Sequence, residues 1–256
     1  FTTKVDSITA ENIGDITLFA KWTKNPYTET LKVKNATYEL AVNSDDQITG
    51  VKLTSYTDKK ATTLTVSTVT YNGRKVNVTE IGDNAFKNNK KLKSITISNS
   101  VTNIGKNAFS GCTALKTVKL GTKVTTIGDK AFYKCTALTT VSGGKNVEAI
   151  GASVFAECRK LKSFTLSTKL TTIGSSAFAN CKAITKITLN SKVTSVGAKA
   201  FKGCTALKAV TIKTTKLTDK KLGKSAFSSI NANANIKVPG SKLSAYQKIL
   251  KKVGVT

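Results

Sequence analysis

Five cysteines, Cys112, Cys135, Cys158, Cys181 and Cys204, recur at one constant interval. A regular row of thiols invites three chemistries: a zinc site, disulfides, or a nucleophile. Each meets an obstacle in the sequence. No CxxC pair occurs, and thiols repeated on stacked units run parallel instead of converging tetrahedrally on a metal. Stacked units lie about one strand spacing apart, ~4.8 Å, while the Cβ atoms of a disulfide prefer about 3.8 Å. An odd number of thiols also cannot pair completely. A nucleophile needs a base, and the chain has no histidine. That absence also removes Ser-His-Asp triads, Cys-His pairs and HExxH metal sites. The cysteines read as small buried packing groups, reduced and inert.

Paired carboxylates could cleave glycosides. From residue 81 onward, however, the acidic residues are only Asp83, Asp129, Glu148, Glu157 and Asp219, scattered along the repeats without clustering. Asp45 and Asp46 lie in "VNSDDQITG", which reads as a solvated turn. No catalytic residue, metal-ligand set or cofactor site is expected, and the chain reads as non-enzymatic.

Lysine is the side chain in excess. The net charge is +27, and it is unevenly spread. Residues 1–80 hold 10 basic and 9 acidic groups, whereas residues 81–256 hold 31 and 5. Only Arg74 and Arg159 are arginine. The lysines keep the same phase as the cysteines. Lys93, Lys116, Lys162 and Lys208 share one position, and Lys123, Lys169 and Lys192 share another. Lys119 and Lys186 fall on outward positions of a predicted strand. A solvated face is one reading of these rows. The other is contact with a polyanion, since a repeated row of cations matches repeated charge along a polymer. Scarce arginine and few free aromatic rings argue against sequence-specific nucleic-acid binding.

What positions these side chains is the repeat. Isoleucine or valine followed by glycine recurs at Ile81, Ile104, Ile127, Ile150, Ile173 and Val196, in the same 23-residue phase. Leu222-Gly223 follows at a longer interval, an insertion around residues 216–219. Five residues beyond each stands Phe86, Phe109, Phe132, Phe155, Phe178, Phe201 or Phe227. A fixed period in this range indicates a solenoid. Within one copy, Val118-Lys119-Leu120 alternates as a strand does, Val124 to Ile127 is a second extended piece, and Gly128 opens a turn carrying Ala131-Phe132. One such unit cannot bury enough apolar surface to offset its ordering entropy, so stacked units must share their faces.

The run "LKTVKLGTKVTTIGDKAFYKC" resembles the BspA-like class of leucine-rich repeats, and the resemblance covers residues 81–238. It implies an α/β leucine-rich-repeat solenoid of 23-residue coils, with parallel strands on one face and short helical turns opposite. Gly143 replaces Leu120 in the third copy, so a looseness or bulge is expected at Gly143-Gly144; Asn89 replaces cysteine in the first. Within residues 1–24, "ENIGDITLFAKW" resembles the close of a Listeria–Bacteroides repeat.

Both ends need caps, because an open solenoid exposes an apolar face and strand edges. Residues 25–80 read as a linker and N-terminal β cap. They include a hairpin turning at Asn72-Gly73 and a strand, Leu64-Thr65-Val66, that mimics Ile95-Thr96-Ile97. Residues 239–256 read as a C-terminal capping helix, with Leu243, Tyr246, Ile249, Leu250 and Val253 on one stripe and Gly254 ending it.

No stretch reaches the roughly 18 apolar residues of a membrane span. Starting at Phe1 and lacking methionine, the chain reads as a mature or excised segment, with any signal or anchor outside it. The resemblance implies a non-catalytic extracellular binding or adhesion module of a bacterial surface protein, secreted or held at the cell surface. The expected partners are a host matrix or cell-surface protein, or an anionic polysaccharide or teichoic acid, with no membrane insertion. The competing expectation is a structural spacer or a wall-retention segment held on anionic polymers.

Overall fold

The computed structural model describes residues 25–162 and 164–252. The reading of residues 1–24, together with the places of Val253 and Gly254 in the capping helix, lies outside the described residues. The rest is a β-solenoid whose coils follow the 23-residue phase of the sequence.

A regular coil carries two strands. The longer ones alternate, as Thr117–Leu120 does, with Val118 and Leu120 inward and Thr117 and Lys119 outward. Adjacent coils pair in parallel and in register, Val118 beside Ile95 and Val141. The second extended piece is shorter, just Thr126–Ile127 and its equivalents. These two-residue strands nevertheless join into the most extensive sheet of the molecule, nine strands running without interruption from the N-terminal cap to Ser195–Val196.

The core is a column of aromatic rings. Phe86, Phe109, Phe132, Phe155, Phe178, Phe201 and Phe227 are fully buried. Successive centroids are 4.7–5.3 Å apart with interplanar angles of 1–22°. The spacing is that of paired strands, so one rise per coil satisfies backbone hydrogen bonding and ring stacking together.

Opposite the longer strands, the segment expected to be a helical turn is a run of β-turns. In the first coil the amides of Asn84, Phe86 and Asn88 donate to the carbonyls of Lys106, Ala108 and Ser110 in the next coil. The intervening amides of Ala85, Lys87 and Asn89 donate back three residues to Gly82, Asn84 and Phe86. Half of the amides therefore tie coils together, and a helix would have consumed them all internally. The geometry requires left-handed residues two before and two after each phenylalanine. Those positions hold Asn84 and Asn88, Asn107 and Gly111, Lys130 and Lys134, and so on to Ser225 and Ser229.

The glycine after each isoleucine has a different reason. A Cβ on Gly128 would lie 2.9 Å from the Gly105 carbonyl carbon, and one on Gly174 would lie 2.5 Å from that of Gly151. Clearance between coils demands glycine there; the dihedral angle does not.

At the N-terminus, strands Tyr27–Val33, Ala36–Val42 and Ile48–Tyr56 form an antiparallel meander. Lys52 and Leu53 then pair in parallel with Glu80 and Ile81, so the meander runs directly into the solenoid sheet. Thr63–Val66 pairs with Ser94–Ile97, Leu64 beside Ile95, as the sequence mimicry suggested. Thr68–Tyr71 and Arg74–Asn77 form the expected hairpin, with Asn72 and Gly73 at φ 47° and 74°. Tyr56 ends the ring column, tilted 38° against Phe86 at 5.2 Å.

At the other end the helix spans Leu243–Lys252. Its anchor is buried Tyr246, whose hydroxyl donates to the Thr214 carbonyl (2.8 Å) and accepts from the Leu217 amide (3.2 Å). The insertion at residues 216–219 is thus the seat of the cap. Leu250 is buried with Tyr246, but Leu243 departs from the expected stripe and is half exposed. It opens the helix straight after the Gly240–Lys242 turn, before the helix has closed onto the core.

One irregularity matters for the surface. Gly143 and Gly144 both adopt positive φ, 81° and 67°. Among the described residues, the coil beyond them forms no longer strand. That sheet is therefore split into four strands (Thr63–Val66 to Thr140–Gly143) and three (Lys186–Leu189 to Asn235–Lys237). Phe164 takes the inward place held by Val118 and Val141, and its ring leans on Phe155 and Phe178 at 5.0 and 6.0 Å. A phenyl ring where valine fits pushes the backbone out of line.

Truncating Phe132→Ala in mid-column should cost about 3–5 kcal/mol in an equilibrium denaturant melt, the range for a large buried aromatic. A cost within half a kcal/mol of zero, by the same measure, would contradict the stacked core.

Candidate binding surface

One coil shows how the lysines are placed. Along Lys116-Thr117-Val118-Lys119-Leu120-Gly121-Thr122-Lys123, the first residue precedes the strand, Lys119 points outward from it, and Lys123 follows in the turn beyond. Stacking turns these positions into columns. Lys93, Lys116, Lys162 and Lys208 line one rim of the longer-strand face, Lys123, Lys169 and Lys192 line the other, and Lys119 and Lys186 stand between. All nine are exposed.

The backbone holds the first rim in register. The Lys116 amide donates to the Lys93 carbonyl (2.7 Å), Thr139 to Lys116 (2.9 Å), Lys162 to Thr139 (3.2 Å) and Lys208 to Thr185 (2.9 Å). Lys162 therefore stays aligned even where its own coil loses the strand. On the second rim the Lys169 amide donates to Ser167 Oγ (3.0 Å) and the Lys192 amide to Asn190 Oδ1 (2.6 Å). Between the rims the outward positions are mostly hydroxyls: Thr96, Thr117, Thr140, Ser142, Thr165, Thr188 and Thr211.

Among the described residues no carboxylate sits on this face. Asp83 and Asp129 serve the turn side, each accepting a backbone amide from the next coil, that of Lys106 (2.7 Å) and of Ala152 (2.6 Å). Glu157 accepts from Arg159 Nε and Nη2 (3.0 and 2.9 Å) and from the Asn180 amide, and these donors hold its carboxyl below the usual range despite burial. Among the described residues, ion pairs join Lys52 to Glu39 and Arg159 to Glu157, and none of the nine lysines takes part.

Sequence reasoning missed Lys237. Strand Asn235–Lys237 pairs with Ala209–Ile212 in the register Thr211 to Lys237, which carries the face one strand further. The insertion lengthens the step from Thr211 beyond the regular period and so hid it; the alternation in "NIKV" was the available signal. Open depressions of about 570, 400 and 370 Å³ occur at the N-terminal hairpin, the first coil and the C-terminal helix. None includes the nine lysines, so the face offers an extended surface and not a hole.

The sequence profile of the BspA type leucine rich repeat region matches in six copies over residues 79–208 and 174–253. The chain belongs to this family. Among solved structures, a leucine-rich-repeat protein of T. pallidum superposes with a TM-score of 0.69 at 24% identity, covering 86% of this chain and 96% of that one. One from Bacteroides ovatus gives 0.50 at 20% identity, covering 87% and 60%. A leucine rich cell surface protein from Faecalibacterium prausnitzii gives 0.37 at 19%, covering 89% and 98%. The first two share the fold. No curated protein sequence matches the chain. Membership of the BspA-type family fits a non-catalytic bacterial repeat module. No helix among the described residues is long and apolar enough to cross a membrane.

The cysteines in this BspA-type solenoid do more than fill space. Each Sγ donates to the carbonyl of the phenylalanine one coil earlier: Cys112 to Phe86 (3.0 Å), Cys135 to Phe109 (3.2 Å), and Cys158, Cys181 and Cys204 to Phe132, Phe155 and Phe178 (3.1 Å each). All five are free thiols and fully buried. In the first coil Asn89 replaces the thiol and bonds the Asp58 carbonyl of the cap (3.2 Å). Burial pushes all five thiols up, Cys112 and Cys204 to about 12.

The neutral thiol is the form the fold favours. Its contribution is therefore complete below the ordinary value of 9.0 and is lost as pH rises toward about 12. The parent should lose stability across that window faster than a variant with all five replaced by alanine, measured by denaturant melts at stepped pH. Iodoacetamide should label no thiol in the native protein and all five after unfolding; native labelling would contradict the burial.

Proposed function

We propose that this chain is a non-catalytic extracellular binding module of a bacterial surface protein, and that its lysine-rimmed strand face takes anionic polymers. The observation that carries the reading is the coincidence of two rows of exposed lysines with a hydroxyl face free of carboxylate. Unpaired like charges repel one another, and an anion laid along the rows relieves that repulsion. Anionic polysaccharide, teichoic acid, or an acidic stretch of a host matrix or cell-surface protein supplies such charge. The lysine ammonium is a mobile point charge, suited to this contact and poor at reading base edges. The same face, turned toward the cell's own wall polymers, would make the module a retention segment; the large excess of basic over acidic groups in residues 81–256, 31 against 5, favours that as the second reading.

Each contact is exposed and screened over about 8 Å at physiological ionic strength, so binding is a sum of weak, salt-sensitive terms. Titration with heparin at several salt concentrations should show affinity falling steeply with salt. Converting Lys93, Lys116, Lys162 and Lys208 together to glutamine should flatten that dependence, while any one change does little. Absence of binding at low salt, or tight binding unmoved by salt, would overturn the reading.

A further inference from the structure

The first rim is an alternation: Lys116, Thr139, Lys162, Thr185, Lys208. Each step is one coil, and the rings behind it fix the rise, 5.0–5.3 Å from Phe109 through Phe201. The amide of Lys162 on the Thr139 carbonyl and that of Lys208 on the Thr185 carbonyl hold the steps on either side of the split in the strand face, and the uninterrupted nine-stranded sheet keeps the coils in phase between them. Lysine positions on this rim therefore recur every second coil, about 10 Å apart along the backbone, with a threonine midway. The second rim begins the same way, Lys123, Asn146, Lys169, before Lys192 fills the next place. Lys93 sits one coil before Lys116 and extends the row at the cap end.

This register, which rests on the polyanion reading above, selects among polyanions. A polymer with one phosphate on every unit carries charge more densely than one lysine per two coils can match. An extended polysaccharide of alternating uronate and neutral sugar has the required pattern, with one carboxylate per disaccharide and hydroxyl or amide groups between. We propose that the rim binds an unsulfated, uronate-containing polysaccharide lying along the solenoid axis across the strands. Its carboxylates meet Lys116, Lys162 and Lys208, and its neutral sugars meet Thr139 and Thr185. The row from Lys116 to Lys208 spans four rises, about 20 Å, enough for three carboxylates and the two neutral sugars between them.

The experiment moves charge without changing its amount. The double variant K162T/T185K shifts one lysine by one coil at exposed positions and preserves net charge. Hyaluronan oligosaccharides and oligo(dT) serve as probes, titrated against the whole chain at low salt, with thermal melts confirming that the fold is kept. Hyaluronan should bind more tightly than oligo(dT) of equal charge. The double variant should weaken hyaluronan by about two- to fivefold, the weight of one exposed ion pair, and leave oligo(dT) unchanged. T185K alone, which adds charge out of phase, should not tighten hyaluronan; it decides the matter if the double variant melts early. Equal binding of both probes, or tightening by T185K, would overturn the register and leave the polyanion reading standing. Failure of both probes to bind would overturn both.

Discussion

Neighbouring coils must approach to the spacing of paired strands all the way round the molecule, and the rest of the structure depends on that approach. A turn-side run of β-turns with left-handed residues lets alternate amides reach the next coil. The glycine column removes the side chain that would hold the coils apart. The phenylalanine rings then meet at nearly the same spacing, so hydrophobic burial and hydrogen bonding act along one axis. The thiols fit here as well. A buried phenylalanine carbonyl already accepts a turn amide, and the cysteine of the next coil supplies a second, weaker donor without adding volume.

Much of this was legible in the sequence because identical environments recur, so each apolar position is tested seven times by its own copies. The period located the longer strands, the ring column and the cysteine row, and the Asn-Gly turn signal located the hairpin at Asn72-Gly73. The missed features are those in which contact partners are distant in sequence or period. The second extended piece is legible from Val124 to Ile127, but strands of two residues are too short to show by alternation that they build the longest sheet. The meander of the N-terminal cap has no copy to compare with. The turn side carries small polar residues that read equally well as a helical turn, and only the bonds between coils decide against a helix. The cysteine hydrogen bond reaches one coil plus three positions back, from Cys112 to Phe86, an offset the repeat phase does not suggest. On the surface, the lysine columns followed from the period alone, whereas Lys237 was displaced from it by the insertion that seats Tyr246.

The two sides of the solenoid divide the work between them. The turn side holds its few carboxylates on backbone amides and on Arg159, so they act as local fasteners. The longer-strand side carries lysine without carboxylate, and nothing in its own coil neutralises it. Electrostatic repulsion along that side is borne by the apolar column beneath, whose burial far exceeds what exposed charges can oppose.

The split of one sheet beside the continuity of the other also has a mechanical meaning. A stack held by an unbroken ladder on one side and an interrupted ladder on the other flexes unequally. It resists bending that would stretch the nine-stranded sheet and yields more readily in the plane that opens or closes the gap after Gly143. Phe164, wedged between Phe155 and Phe178, lies at that joint, and Lys162 stands on its edge. Flexing there changes the distance between the halves of the lysine row, so the curvature of the solenoid and the pitch of its charges are coupled.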